Sequence, residues 1–352
     1  MTSTSDSCKH TLTLRGNARS WKRWLKWGYS CLQAHIKPEM ADCTILTYHR
    51  ILPRNQLTDV YSSPHIIVTQ ETFQKHMKLL SKQAHPLSLA DYVSARLANK
   101  VIPNKSVIIT FDDGWMDNYQ FAFPILQKYQ IPATIFLTTD YIDTQHTFWP
   151  EKLHFLLKNL PKQANFDPKN LLKAVEIPPG HWQKAKQCQN WFPIIEKLKF
   201  TEKKQRNQFI AALEEQIGDK TFPKEKHAFL TWPQAEEMQK CGINFGSHGS
   251  SHSIFTNLTK KQVTEECQAS RDIIHRKLGG LPSFLAYPNG NFTPEIQQIL
   301  KNVGYQAALT TFSGKNSQKT DIFAQKRINM SESRFLDPFF RFSPSLFKQI
   351  LS

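Results

Sequence analysis

Val107-Ile-Ile-Thr-Phe111-Asp112-Asp113-Gly114 carries the clearest structural signal in the chain. An apolar, β-branched run meets two carboxylates and a glycine, which reads as a short buried strand stopped by a turn. Asn118 to Tyr129 then has helical spacing, and Ala133 to Leu137 is a second apolar strand. Strand, helix and strand within about thirty residues make a βαβ unit, so the class is α/β and the sheet is expected to be parallel. Adjacent acids at the C-terminal end of such a strand stand where α/β proteins place their sites. There one acid can bind a metal while the other handles protons. The plainer alternative is a loop whose Asp residues cap the next helix.

On the N-terminal side, Thr44 to Tyr48 reads as an earlier strand that ends in His49-Arg50. Thr69 to Lys82 reads as an amphipathic helix with Phe73, Met77 and Leu80 on one face, and Ser88 is a cap for the next helix. Residues 146–231 are rich in Lys and Gln, helical in pattern and poor in strand signals. We read them as a helical insertion. Strand character returns at Ile243 to Phe245, Phe284 to Ala286 and Ala307 to Thr311, with a long helix at Thr259 to Leu278.

The 352 residues are 40% hydrophobic and 12% aromatic, enough to fill a core, which excludes wholesale disorder. Runs such as Ala133 to Leu137 are too short to span a bilayer. The six cysteines form no C-x-x-C pair, so reduced, structural thiols and a cytoplasmic location are expected. The net charge of +16 favours an anionic partner without choosing among lipid, glycan and nucleic acid. Residues 1–43 form a separate arm. Within it, residues 15–35 set Trp21, Trp24 and Leu25 against Lys22, Arg23 and Lys26 at helical spacing. Such a helix can lie on the anionic inner face of a membrane or pack on the main domain. Residues 44–352 make up that domain.

A second chemical signal is Gly246-Ser247-His248-Gly249-Ser250-Ser251-His252. Two His four apart can present imidazoles to one ion. The segment is not the zinc-protease motif, because Gly249 stands where the Glu base would be. Taken with Asp113, it supplies two His and one carboxylate, a donor set that leaves room for water.

These elements, with Phe284-Leu-Ala-Tyr-Pro-Asn-Gly290, resemble the polysaccharide deacetylases, also called NodB-homology enzymes or carbohydrate esterase family four. The resemblance covers roughly residues 44 to 330. It implies a distorted (β/α) barrel, a divalent metal that is usually zinc, and removal of acetyl groups, N-acetyl above all, from amino-sugar glycans or their precursors. Carried over by motif, Asp112 is the general base and Asp113, His248 and His252 are the metal ligands. Tyr287, Pro288, Asn289 and Gly290 are expected to wall the substrate groove.

The chain departs from the family pattern in three places. Gly249 replaces a hydroxyl residue that many relatives carry after the first His. Ala286 stands where many have an Arg that pairs with the base, and Arg327 is the candidate replacement. The late Leu-x-His that carries the general acid is missing, since no histidine follows His275. An amide leaving group needs a proton. Some relatives with a rearranged motif order use an early Tyr-His element, so His49 is the expected acid. Two other classes compete with the enzyme reading: a non-catalytic carbohydrate-binding relative and a basic nucleic-acid-binding protein. The intact Asp-Asp and His-His sets disfavour the first. No nucleic-acid module is present to favour the second, so no nucleic-acid partner is expected.

Overall fold

The computed structural model describes residues 43–160, 169–217, 222, 228–339 and 341–351. The basic segment at residues 15–35 lies outside them. The described residues form ten strands: β1 Cys43–Tyr48, β2 Arg50–Leu52, β3 Ile67–Thr69, β4 His85–Pro86, β5 Ser106–Phe111, β6 Ala133–Leu137, β7 Asn244–Ser247, β8 Phe284–Ala286, β9 Ala307–Leu309 and β10 Ile328–Asn329. The main sheet runs β10-β1-β5-β6-β7-β8-β9, with β4 alongside β5, and every pairing is parallel. All residues of β1, β5 and β6 are buried. That is why these segments read as continuous apolar runs, for a parallel sheet is covered on both faces.

The sheet curls back on itself as a distorted (β/α) barrel. Beyond β9, Gln325 N–H donates to Ala308 O at 3.0 Å, and Thr310 N–H donates to Gln325 O at 2.9 Å. The same segment then enters β10, which pairs with β1. The expected helices are present and capped as their sequences direct. Thr69 caps Gln70–Gln83, whose Phe73, Met77 and Leu80 are buried, and Ser88 caps Leu89–Leu97. Lys260–Leu278 starts from Thr259 with a capping box to Gln262. The helix expected after Asp112-Asp113 is less regular, a π-type turn at Asn118–Ala122 leading into Phe123–Tyr129. Among the described residues no helix is long and apolar enough to cross a membrane.

Between β6 and β7 the described residues form the helices Trp149–Asn159, Lys169–Ala174, Pro179–Cys188, Phe192–Leu198 and Lys203–Ile217, followed by Trp232–Lys240. Leu153, Leu156, Trp182, Ile194 and Leu213 belong to a hydrophobic cluster distinct from the barrel core. Trp149 packs against that cluster, whereas Trp232 packs in the barrel core. The two tryptophans therefore sit on opposite sides of the junction.

The parallel register places the chemistry. Tyr48 pairs with Phe111, so His49 and Asp112 leave the sheet side by side. Leu137 pairs with Ser247 and Ser247 with Leu285, which brings His248 and Ala286 to the same end.

Candidate active site

Asp113, His248 and His252 converge, with one potential ligand atom from each lying within 4.8 Å of the others. Asp113 Oδ1 is 3.5 Å from His248 Nε2 and 3.3 Å from His252 Nε2. Donors around a tetrahedral ion with bonds of about 2.0–2.2 Å stand about 3.3–3.6 Å apart. Oδ1 is buried and accepts no hydrogen bond, while Oδ2 accepts from Trp115 Nε1 at 2.9 Å. A buried carboxylate oxygen left without a donor is costly, and a cation resolves it. His248 Nδ1 lies 2.7 Å from Ala286 O, so the N–H sits on Nδ1 and the Nε2 lone pair faces Asp113. Burial pushes the His248 pKa down to about 4, which keeps the imidazole neutral as a ligand must be. Burial opposes ionisation of Asp113, but its closeness to His252 above all outweighs it and holds the carboxyl far below its usual range. The three residues fit a divalent cation.

Two of them sit in strained backbone, with φ of +76° at Asp113 and +60° at His252. Non-glycine residues in this region cost energy and persist where surrounding structure enforces them. Beside His252, Glu266 supplies that enforcement. Its carboxylate accepts from Ser250 N–H at 2.8 Å, from Ser251 N–H at 2.9 Å and from the Ser251 hydroxyl. Gly249 suits this turn, because its φ is +75° and a Cβ would crowd Glu266 Oε2 at 3.2 Å. The loop that carries His252 is thus tethered by a carboxylate from the helix Lys260–Leu278. The ring of His252 also stacks on Phe148 at 4.9 Å, just before the insertion's first helix.

Asp112 does not join the three. Its carboxylate is gripped by Arg327, with NH1 to Oδ1 and NH2 to Oδ2 both at 2.7 Å. Arg327 is itself fixed by Nε donating to Thr310 O at 2.7 Å. Burial would raise the Asp112 pKa, but the charge and hydrogen bonds of Arg327, with His248 and His49 nearby, bring it below the usual range. Asp112 is therefore a carboxylate, held in one orientation by Arg327. Both partners are almost fully buried. Arg327→Ala is expected to destabilise the fold by about 3–5 kcal/mol, because it leaves a buried carboxylate unpaired. Urea unfolding checks this, and a loss under about 1 kcal/mol would show that the pair is not held as described.

His49 Nε2 lies 3.9 Å from Asp112 Oδ2, and its Nδ1 has no hydrogen-bond partner. Burial lowers its pKa, against the pull of the Asp113 and Asp112 carboxylates. Its position is fixed from behind, where Asn118 Nδ2 donates to His49 O at 2.7 Å. The next residue, Arg50, bonds Asp117 at 2.8 Å and Ser62 at 2.9 Å, and lies 3.3 Å from Glu151. Glu151, at the insertion's first turn, thereby ties the insertion to the β1–β2 corner.

These groups line an open cleft of about 2070 Å³, whose opposite wall is the helical insertion. That is larger than a site for one small molecule and suits an extended chain. The expected groove wall at 287–290 is narrower than the sequence implied. Tyr287 is buried with its hydroxyl donating to Phe323 O at 2.9 Å, and Pro288 and Gly290 are also buried. Only Asn289 of the four lines the cleft, at φ +61° and 3.5 Å from Lys199 Nζ. The strand end turns Tyr287 into the core, and Gly290 packs against Thr311 too closely to admit a Cβ.

Comparison with known proteins agrees with this geometry. The family model described as polysaccharide deacetylase matches residues 99–188 and 197–308. YxkH of Bacillus subtilis, a provisionally named polysaccharide deacetylase, is 25% identical over 300 residues, covering 85% of this chain and 75% of its own. The poly-β-1,6-N-acetyl-D-glucosamine N-deacetylase of Staphylococcus epidermidis is 34% identical over 115 residues, covering 30% of this chain and 39% of that relative. A Streptococcus pyogenes deacetylase, PplD, solved with acetate, superposes with a TM-score of 0.55 at 20% identity, over 86% of this chain and 97% of its own. That likeness carries the fold. The matched segments take in both the strand ending at Asp112-Asp113 and the loop bearing His248 and His252, and they span more than half of the chain, which belongs to the polysaccharide deacetylase family.

Proposed function

We propose that the chain is a metal-dependent hydrolase that removes acetyl groups, most directly N-acetyl groups, from an amino-sugar glycan or its precursor. The observation that carries this is the division of the two adjacent carboxylates. Asp113 faces two imidazoles, while Asp112 is held apart by Arg327. A divalent cation, for which we propose zinc, would be held by Asp113, His248 and His252, and would supply an activated water and polarise the acetyl carbonyl. Asp112 takes the proton from the attacking water, and Arg327 keeps its carboxylate aimed during the step. His49, on the cleft wall beside Asp112, gives a proton to the departing nitrogen. Burial loosens the hold of His49 on a proton, so it must first be recharged, by the proton that Asp112, 3.9 Å away, has taken from the water, before it donates to the nitrogen. Asn289 and the insertion bound the space for the sugar. The named activity of the Staphylococcus epidermidis relative, on β-1,6-linked N-acetyl-D-glucosamine, supports the substrate class.

Acetate release from N-acetylglucosamine oligomers of β-1,6 and β-1,4 linkage tests this reading. We expect acetate and a new amine in equal amounts, and no acetate from any of them would refute it. His49→Ala is expected to slow amide hydrolysis by about 10²–10⁴-fold, yet slow an activated acetyl ester far less, because a good leaving group needs little protonation. Equal losses on both substrates would mark His49 as structural.

We also propose, on the sequence pattern alone, that residues 15–35 bring the chain to the anionic cytoplasmic face of a membrane. Co-sedimentation with phosphatidylserine vesicles should be strong at low salt. It should fall when Lys22, Arg23 and Lys26 are changed to Glu. Equal sedimentation of both forms would refute the contact.

A further inference from the structure

The insertion's wall of the cleft carries a guanidinium with nothing to bind. Arg206 is half-buried, and its Nε is fully buried without a hydrogen bond. Among the described residues no acid or carbonyl pairs with its other nitrogens. Burial lowers its pKa, and no carboxylate is among the groups that act on it. Its Cζ lies over the Trp149 ring, 4.4 Å from the centroid. Trp149 directly follows Phe148, the residue stacked on His252. One step along the wall therefore leads from the candidate metal centre to Arg206. Tyr141, edge-on to Phe148 at 4.4 Å, lies within reach of the Arg206 charge.

Lys199, Lys203 and Lys204 line the same wall. Lys199 is engaged by Glu196 at 2.9 Å, and Lys203 feels Asp140 without forming an ion pair. The remaining acids of the cleft are accounted for. Glu151 is tied to Arg50 and Ser62, Asp112 to Arg327, and Asp113 faces the imidazoles, while Glu202 is exposed. A guanidinium is a rigid fork that matches carboxylate and phosphate oxygens bidentately, and such hydrogen bonds are about twice as strong as neutral ones. The fold uses the contact with Trp149 but leaves the buried Nε without an acceptor.

We infer that Arg206, with Lys203 and Lys204 at its rim, is a specificity subsite for an oxyanion, phosphate or carboxylate, borne by the acetylated glycan next to the sugar that loses its acetyl group. This deepens the deacetylase reading and rests on it. Arg206 touches the substrate's charged group and not the reacting atoms. Its effect is therefore read in KM and in substrate preference.

The test compares three N-acetylglucosamine trimers of equal length: a neutral one, one with a terminal phosphate and one with a terminal carboxylate. In the metal-loaded full chain, kcat/KM for the better charged trimer should exceed that for the neutral one by about 10-fold or more. The preference should arise in KM and shrink as salt rises. Whichever charged trimer leads names the source of the oxyanion. Arg206→Gln should bring the preference close to one, and Arg206→Lys should restore only part of it, since an ammonium lacks the fork. If the variants fold poorly, the salt series on the unaltered chain decides the matter: a charge preference that does not shrink with salt overturns the subsite. Acetate from all three trimers with equal efficiency overturns the subsite and leaves the deacetylase reading standing. A preference that survives Arg206→Gln also overturns it, and acetate from none of the trimers overturns both.

Discussion

Replacing any one of Asp113, His248 or His252 by Ala will remove the bound ion and the acetate-releasing activity together. Each residue supplies one of three donors within 4.8 Å, and no fourth His, Cys, Asp or Glu joins that group among the described residues. Changing a residue that only orients a ligand typically costs 10–100-fold in metal affinity, so losing a ligand outright should cost more than about 100-fold. His248→Ala should be the most severe of the three. It removes the donor whose tautomer is set by Ala286 O, and it leaves that buried carbonyl without its partner. Metal content per chain, measured beside acetate release, checks this. Full activity in a variant that holds no metal would refute the ligand set.

Asp112→Asn should behave in the opposite way, keeping the ion and losing about 10²–10⁴-fold in turnover. The amide still accepts from one arm of Arg327, so position is largely kept while the capacity to take a proton is removed. Its neighbour Asp113, which faces the imidazoles, is untouched. The contrast between adjacent positions, one losing metal and the other losing only rate, is the signature of the division of labour. Near-normal turnover of Asp112→Asn with metal in place would put the base elsewhere.

The residues of this site were unequally legible in the sequence. Asp112-Asp113 and His248 stand at the ends of apolar strands, and a parallel sheet gathers such ends on one face. Local pattern therefore predicts their meeting. His49 was legible for the same reason, since β1 and β5 pair in register up to Tyr48 and Phe111. Arg327 could be named only as a candidate. It precedes a strand of two residues, too short to show a period, and its approach to Asp112 depends on the barrel closing through Gln325. Glu266 was missed, because on the helix Lys260–Leu278 it reads as one more polar side chain. The nearest signal was Gly249, whose lack of a hydroxyl called for another tether. Tyr287 was misplaced for a different reason. A motif gives the backbone's course but not which way a side chain turns at a strand end, and the ring is held inward on Phe292 and by Phe323 O. Arg206 carries no motif at all, and only the placement of the insertion opposite the metal-ligand set brings it to notice.

The most direct measurement is a zinc titration of chelator-stripped chain, with bound metal, acetate and new amine counted in parallel on an N-acetylglucosamine oligomer. We expect negligible acetate without metal, activity rising in proportion to bound zinc and saturating at one ion per chain, and one amine formed per acetate released. Acetate release by the fully stripped chain at the rate of the loaded one would contradict a metal-dependent deacetylase.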